Sequence, residues 1–244
     1  MPRERTTDEP LLVCGPNAVL GLLRSGVAVD RVYALAGQRM PAIVAAAQAC
    51  GAAIQTVDRA SLDRTARGTG HQGVVALAAP FRYAALEDLA DAPNVLVLDG
   101  VQDPRNLGAL LRSSRAAGVC GVVLPQDRSA AVTPVVATAS AGTLFDLTIA
   151  RVPNLVRAME SLKGWGFWTI GLVPGASRTL WELDPPPRPA LVVGGEGAGL
   201  RQLVRRACDF EVTIPMAAGV ESLNVSVAAA VALFELRRRG ALGP

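Results

Sequence analysis

Three short segments of the chain place glycines beside polar side chains that could act together. The first runs from Asp99 to Ser113, the second from Gly194 to Leu200, and the third from Ile214 into an apolar helix that ends near Phe234. Glycines let main-chain N–H and C=O groups approach a flat ligand closely, and an arginine fork suits a phosphate group. Amide and hydroxyl side chains can hold sugar hydroxyls. The polar candidates of the three segments are Asn106, Arg112, Glu196, Ser222 and Asn224.

The glycines of the second segment do not form a dinucleotide-binding fingerprint. If G-x-G-x-x-G begins at Gly195, Leu200 stands where the third glycine belongs, and the segment does not follow the first strand of its domain. The chain also contains no Gly-Lys-Ser/Thr sequence, which removes the usual phosphate-binding loop. What remains is a pocket lined by backbone, with a plain glycine turn as the structural alternative.

The polar residues of the other two segments have ordinary structural roles as alternatives. Ser222 and Asn224 stand where a helix must begin, and such residues satisfy the unpaired N–H groups of a first helical turn. A single cap, however, needs only one of them. Asn106 could similarly cap the helix that carries Arg112, and Arg112 could be a solvated helix residue. The occurrence of all three segments in one chain favours a functional site.

The composition limits which partners and which kinds of catalytic site the chain can have. Half of the 244 residues are apolar, the formal net charge is +3, and Lys163 is the only lysine among 24 basic residues. Arginine permits nucleic acid as a partner, although so small a charge does not require it. Because His71 is the only histidine and no C-x-x-C pair occurs, we expect no metal site and no triad based on several histidines. The dispersed cysteines and the lack of a long apolar run predict a soluble cytoplasmic protein with reduced thiols.

The order of apolar runs and helix breakers predicts a small α/β domain over residues 1–80. Gly15-Pro16 opens a helical run that Gly26 closes, and Pro41 begins an alanine-rich helix that stops at Gly51. Ser61 could cap a further short helix. Strand-like runs at residues 32–36, 53–57 and 74–79 alternate with these helices.

A composition shift over residues 80–93, with Pro80, Pro93 and an acidic cluster, predicts a linker at 81–93 before a second domain at 94–244. Strand-like runs in that domain alternate with helical segments, which favours a parallel sheet with helices on both faces. Ligands bind beyond the carboxyl ends of such strands. The three segments follow predicted strands, so we expect them to meet at one edge. The runs are residues 95–98, 121–124, 169–172, 191–193 and 211–214.

The three segments resemble the signature motifs of the SpoU/TrmH family of RNA ribose 2′-O-methyltransferases, in order and in separation. In the first domain, Cys14-Gly-Pro-Asn-Ala-Val-Leu-Gly-Leu-Leu and His71-Gln-Gly-Val-Val-Ala are similar to the beginning and end of the family's small substrate-binding domain. The resemblance covers residues 11 to 239. It implies an α/β fold of the SPOUT type, with a deep trefoil knot in the C-terminal parallel-sheet domain, a homodimer, and S-adenosylmethionine as methyl donor without a metal.

The resemblance also implies roles for individual residues. Asn106, Arg112, Glu196, Ser222 and Asn224 match the family's polar active-site positions, and Arg112 is similar to the residue assigned to activating the ribose hydroxyl. Since a guanidinium is almost always protonated at neutral pH, we expect Arg112 to bind the adjacent phosphate and stabilise the developing alkoxide. A role as general base remains the alternative, and it requires surroundings that favour the neutral guanidinium. The positions implied to contact the cofactor are Gly194, Gly195, Glu196, Ile214, Met216 and Leu223.

The resemblance leaves several RNA substrates open. The two-domain length and the His71-Gln-Gly-Val match resemble the branch that methylates a guanosine in the peptidyl-transferase loop of 23S rRNA, acting on that rRNA or a ribosome-assembly intermediate. A tRNA, an rRNA site of antibiotic self-resistance, and a catalytically silent ribosome-assembly protein remain alternatives. Thr143 and the pair Val220-Glu221 depart from the commoner family pattern. The arginines expected to help select RNA are Arg24, Arg31, Arg39, Arg59, Arg64 and Arg67.

Overall fold

The structure, a computed structural model, describes residues 9–195, 199–220 and 222–243. The chain forms two compact units. One contains the residues up to Arg82 together with Ala131–Asp146, and the other contains Tyr83–Ala130 and the chain from Leu147 onward. Each unit is built around its own β-sheet.

The first unit has a mixed four-stranded sheet in the order β1-β4-β2-β3, and the second has a six-stranded sheet in the order β10-β8-β9-β5-β6-β7. Every paired strand of the second sheet is parallel to its neighbour, as the alternation of strands and helices predicts. The strands are β1 (Leu11–Cys14), β2 (Val29–Leu35), β3 (Ala53–Val57), β4 (Val74–Ala78), β5 (Val95–Asp99), β6 (Gly121–Pro125), β7 (Thr148–Val152), β8 (Trp168–Leu172), β9 (Pro189–Gly194) and β10 (Phe210–Val212).

The helix boundaries follow local sequence signals. Proline occupies the first turn of several helices, where its missing N–H costs nothing, and Gly51 ends the second helix in the left-handed region at φ 75°. The third helix is capped by Asp58, which accepts a hydrogen bond from Ser61 N at 2.7 Å, so Ser61 is not the cap. The helices are α1 (Pro16–Arg24), α2 (Pro41–Cys50), α3 (Arg59–Ala66), α4 (Pro104–Ala117), α5 (Pro134–Ala139), α6 (Leu155–Gly164), α7 (Gln202–Arg206) and α8 (Val225–Arg238).

Helices pack against the second sheet, and its central strands β5 and β6 are buried over their whole length. Val95 and Val97 pack with Met159 of α6 in one apolar cluster. Side chains alternate along a strand, so Leu96 and Leu98, both fully buried, point to the opposite face. Helix α8 contacts β9 and packs along α4. The packed sheet therefore provides the framework that positions the loops at its carboxyl edge.

Two segments do not belong to the domains predicted for them. Ala131–Asp146, which falls inside the predicted second domain, packs with the first unit, where α5 lies against β1. Most of the predicted linker, residues 81–93, belongs to the second unit: Ala84 pairs with Ala150, and Leu89 is buried in the core. The acidic residues that indicated a linker instead lie in or just after a short 3₁₀ turn over Leu86–Leu89.

A buried asparagine fastens the end of the second unit to its beginning. Asn94, at the start of β5, donates from Nδ2 to Gly118 O at 3.2 Å and Leu242 O at 3.3 Å. Its Oδ1 accepts a hydrogen bond from Cys120 N at 3.0 Å. These bonds tie together chain segments that are far apart in sequence. Among the described residues, no helix is long and apolar enough to cross a membrane.

Candidate functional site

An open pocket of about 950 Å³ lies at the carboxyl ends of three neighbouring strands of the second sheet. One wall is the segment Leu172–Gly175 after β8, and a second is formed by Val193, Gly194, Gly195 and Gly199 around the end of β9. Thr213–Met216, after β10, and Ser222–Val225, leading into α8, complete it. Parallel strands place all their carboxyl ends at one edge, which is why segments so distant in sequence meet here.

Glycine is required where the backbone loops approach one another. A Cβ on Gly194 would lie 2.1 Å from the carbonyl carbon of Gly199, and a Cβ on Gly195 would lie 2.2 Å from Gly100 O. Gly195 N donates to Asp99 O at 2.8 Å, which joins the loops after β5 and β9. The second segment therefore forms a wall of closely packed main chain, not merely a flexible turn.

A buried carboxylate fixes the far end of this wall. Asp99 is 1% exposed, and its two oxygens accept hydrogen bonds from Arg201 N at 2.8 Å and Arg201 Nε at 2.6 Å. A buried charge is tolerated only when it is paired and hydrogen-bonded, as it is here. This contact holds the residues after Gly199 against the end of β5.

The first and third segments meet through two asparagines. Asn224 Nδ2 donates to Asn106 Oδ1 at 3.1 Å, while Asn224 Oδ1 caps α8 by accepting from Ser226 N at 2.9 Å. At the other end of the same helix pair, Arg237 Nη1 donates to Ala117 O at 3.2 Å. Helices α4 and α8 therefore run side by side in the same direction. Their N-termini, which favour negative charge, converge at Asn106 and Asn224.

The structure brings together most of the residues predicted from the sequence. Asn106 reaches the pocket through Asn224, but it is not the cap of α4; Asp103 is, with its carboxylate accepting from Arg105 N at 2.7 Å. Arg112 is exposed on α4 and forms no hydrogen bond or ion pair with any residue the structure describes. Glu196 lies outside the described residues. The predicted positions that line the pocket are Gly194, Gly195, Ile214, Met216, Ser222, Leu223 and Asn224.

One wall of the pocket, the segment Leu172–Gly175, contains none of the predicted site residues. It carries no acid, base or amide, and only its Pro174-Gly175 turn after a predicted strand indicated a position at the ligand edge. Its contribution is backbone and apolar surface. Within the described part of the chain, no group of three or more His, Cys, Asp or Glu side chains could hold a metal ion. The arrangement suits a flat, largely apolar ligand beside a group that develops negative charge.

Two protein-family models match the chain. The model of the SpoU rRNA Methylase family matches residues 93–234, more than half of the chain. The model described as RNA 2′-O ribose methyltransferase substrate binding matches residues 12–84. The two matches correspond to the regions that hold the second and first sheets.

Relatives match over almost the whole length. An uncharacterized tRNA/rRNA methyltransferase of Mycobacterium avium is 43% identical over 245 residues, covering 96% of this chain and 79% of the relative. The 23S rRNA (guanosine-2′-O-)-methyltransferase RlmB of Salmonella typhimurium is 40% identical over 238 residues, covering 93% of this chain and 98% of the relative. The crystal structure of an AdoMet-bound rRNA methyltransferase from Sinorhizobium meliloti is similar with a TM-score of 0.79 at 25% identity, covering 96% of this chain and 89% of that one.

Proposed function

Since the chain belongs to the SpoU rRNA methylase family of RNA methyltransferases, we propose that it transfers a methyl group from S-adenosylmethionine to a ribose 2′-hydroxyl of 23S rRNA. The target we propose is a guanosine in the peptidyl-transferase loop. The observation that carries the proposed chemistry is the Asn224–Asn106 hydrogen bond, which joins two polar segments at the border of the backbone-lined pocket. The guanosine is supported by the named activity of the Salmonella relative.

The pocket fits S-adenosylmethionine in its chemistry. Neighbouring backbone already fills the space where side chains of Gly194 and Gly195 would lie, which leaves main-chain groups to meet the ligand. Ile214, Met216 and Leu223 offer apolar surface suited to an adenine ring. When bound, the cofactor supplies an electrophilic methyl group. No metal is needed for this chemistry.

The chain's own residues would position the ribose and stabilise its charge. Asn224 and Ser222 orient the 2′-hydroxyl, and Asn106 holds Asn224 in place. The converging N-termini of α4 and α8 favour the negative charge that develops on the ribose oxygen. Arg112 binds the adjacent phosphate. As the methyl group moves from the sulfonium to the ribose oxygen, the hydroxyl proton passes to water and S-adenosylhomocysteine is left. Correct orientation is the largest contribution, since it can lower a barrier by about 7–11 kcal/mol.

A tRNA is the second candidate substrate, because the Mycobacterium avium relative is named a tRNA/rRNA methyltransferase. The deciding experiment maps ribose methylation on total RNA from cells with and without the protein. We expect one mark in 23S rRNA to disappear, whereas a mark lost from tRNA would identify the other substrate. S-adenosylmethionine binding by a protein that supports no mark would indicate the catalytically silent assembly protein.

We also propose a homodimer. Helix α8 exposes Val227 and Phe234, with the half-buried Val231 between them, at the spacing of one helix face. An exposed apolar stripe on a stable helix is suited to a second copy of the same chain.

Replacing Asn224 with Asp tests the site without removing the helix cap. A carboxylate keeps the oxygen that accepts from Ser226 N but loses the amide donor to Asn106 Oδ1. We expect the free energy of unfolding and the cofactor affinity to stay close to wild type, while methyl transfer falls about 100-fold. Calorimetric cofactor titration and label incorporation into RNA measure the two properties separately; full activity of the variant would remove Asn224 from the mechanism.

A further inference from the structure

The first unit displays a separate group of polar side chains at one edge of its sheet. Strands β1, β2 and β3 end at this edge and β4 begins there, because β2 and β3 are parallel and β4 is antiparallel to its two neighbours. The loop after β2 and the loop before β4 are joined by a hydrogen bond from Leu35 N to Gly73 O at 2.9 Å. We call their exposed side chains the polar edge: Gln38, Arg39, Arg67 and Gln72.

The backbone of Gln72 is held in an uncommon conformation. Its φ is 44°, in the left-handed region, although the residue is exposed and is not glycine. The neighbouring His71 enforces this turn: its Nδ1 accepts from Gly73 N at 3.0 Å. Since Nδ1 is the acceptor, Nε2 carries the proton and donates to Asp63 Oδ1 at 2.7 Å. These two hydrogen bonds of His71 fix the direction in which the Gln72 side chain leaves the loop.

Gln38 is positioned by the same loop. Its Nε2 donates to Gln72 O at 3.3 Å, and its side chain lies over Gly73, where a Cβ would be 1.7 Å from Gln38 Oε1. Gly73 thus leaves room for the Gln38 side chain. By contrast, the side chains of Arg39, Arg67 and Gln72 make no hydrogen bond or ion pair with any other residue in the described part of the chain. Two fixed backbone turns therefore present an amide and two cations to solvent.

We propose that the polar edge binds an unpaired nucleotide of the RNA substrate. The amides of Gln38 and Gln72 hydrogen-bond the base edge, and the guanidinium groups of Arg39 and Arg67 bind flanking phosphates. An amide offers donors and an acceptor on one planar group, which matches a base edge. Side chains cannot read base edges in the deep, narrow major groove of an RNA duplex, whereas an unpaired nucleotide exposes its base edge fully. This inference rests on the proposed function and names the residues of the first unit that contact the RNA.

The test removes the amide without adding strain. Gln72→Gly deletes the side chain at a positive φ that glycine adopts freely, so the fold is retained. Gln38→Ala removes the second amide. Ala141→Gly is the matched control for relief of a positive φ, since Ala141 has φ 53° in the same unit, and Gln48→Ala is the control for loss of an exposed amide. Each full-length protein methylates total RNA from cells lacking it, with labelled S-adenosylmethionine.

We expect Gln72→Gly and Gln38→Ala to raise the KM for RNA roughly fivefold or more, with kcat within about twofold of wild type and both controls unchanged. Arg39→Ala and Arg67→Ala should each reduce the slope of log affinity against log salt by about one. An unchanged KM in both amide variants, beside an active wild type, would overturn the inference and leave the proposed function standing. A wild-type protein that labels no RNA would instead refute the proposed function itself.

Discussion

Arg112 is the predicted site residue whose role depends most on the substrate. It is exposed on α4, two turns beyond Asn106, and binds no residue that the structure describes. Six helical positions separate the two side chains, which places them on different faces of α4. Such a guanidinium is available for an external phosphate.

Arg112→Lys tests this phosphate-binding role. Lysine keeps the charge but loses the planar, two-pronged geometry, so we expect turnover to fall about 10- to 100-fold through a loss of about 1.5–3 kcal/mol of charged hydrogen bonding. Steady-state kinetics on RNA measure this loss, with Arg157→Lys, at an exposed position on α6, as the control. Near-normal turnover of Arg112→Lys would contradict the planar phosphate-gripping role.

The four cysteines should divide into two reactivity classes. Cys50 and Cys120 are exposed, whereas burial raises the pKa of Cys14 to about 11 and that of Cys208 to about 12. Only a thiolate reacts rapidly, so at pH 8 we expect two fast and two slow thiols in a titration with a disulfide reagent. The pKa values of Cys14 and Cys208 in the folded protein lie above the ordinary 9.0. The contribution of these two thiols to the free energy of unfolding is therefore present below pH 9 and is lost as the pH rises towards 12. Four equally fast thiols would contradict this burial.

Among the structural elements, the closely packed main chain at Gly194 and Gly195 offers the sharpest test of the pocket. Gly195→Ala would place a Cβ 2.2 Å from Gly100 O, so the loops after β5 and β9 must separate. We expect the free energy of unfolding to fall by about 1–3 kcal/mol and cofactor affinity to fall at least about tenfold. Gly164→Ala is the control, because a Cβ there meets nothing within 4 Å and alanine favours the helix. Chemical denaturation and cofactor titration report both effects; equal behaviour of the two variants would contradict the close approach.

The sequence predicted the elements that carry strong local signals. Residues 53–57 form β3 as expected, and the start of α2 at Pro41 and its end before Gly51 are confirmed. The carboxyl ends of β9 and β10 meet because parallel pairing leaves no other arrangement. The α/β fold with a C-terminal parallel sheet follows from this alternation and is confirmed.

Other features depend on contacts that no local pattern contains. Strand β7 was missed because Arg151 interrupts its short apolar run; in the structure the guanidinium lies 5.5 Å from the ring centre of Tyr83. The pairing of α4 with α8 joins residues 118 positions apart, as in the bond between Asn106 and Asn224. The packing of Ala131–Asp146 with the first unit is equally non-local. The trefoil knot stays a prediction from the resemblance, since periodicity cannot encode threading.

At the scale of the whole molecule, the proposed dimer can be tested through its apolar stripe. Phe234 is 48% exposed on α8, so Phe234→Asp should leave the subunit fold intact while placing a charge in the interface. We expect wild type to be dimeric and the variant monomeric by size-exclusion chromatography with light scattering. Leu203→Asp is the control, because Leu203 is 67% exposed on α7. A variant that stays dimeric would show that the interface does not include Phe234, and a monomeric wild type would refute the dimer.

The hydrogen bonds of Asn94 have a consequence for protein synthesis. Asn94 and Leu242 lie 148 residues apart, so their hydrogen bond cannot form until nearly the entire second unit has left the ribosome. Strands β1 to β4, in contrast, pair within the first 78 residues to be translated. Non-local pairing is slow to form and leaves sheet edges open meanwhile. The parallel sheet therefore stays incomplete until β10 has been translated, well after the first sheet has all its strands.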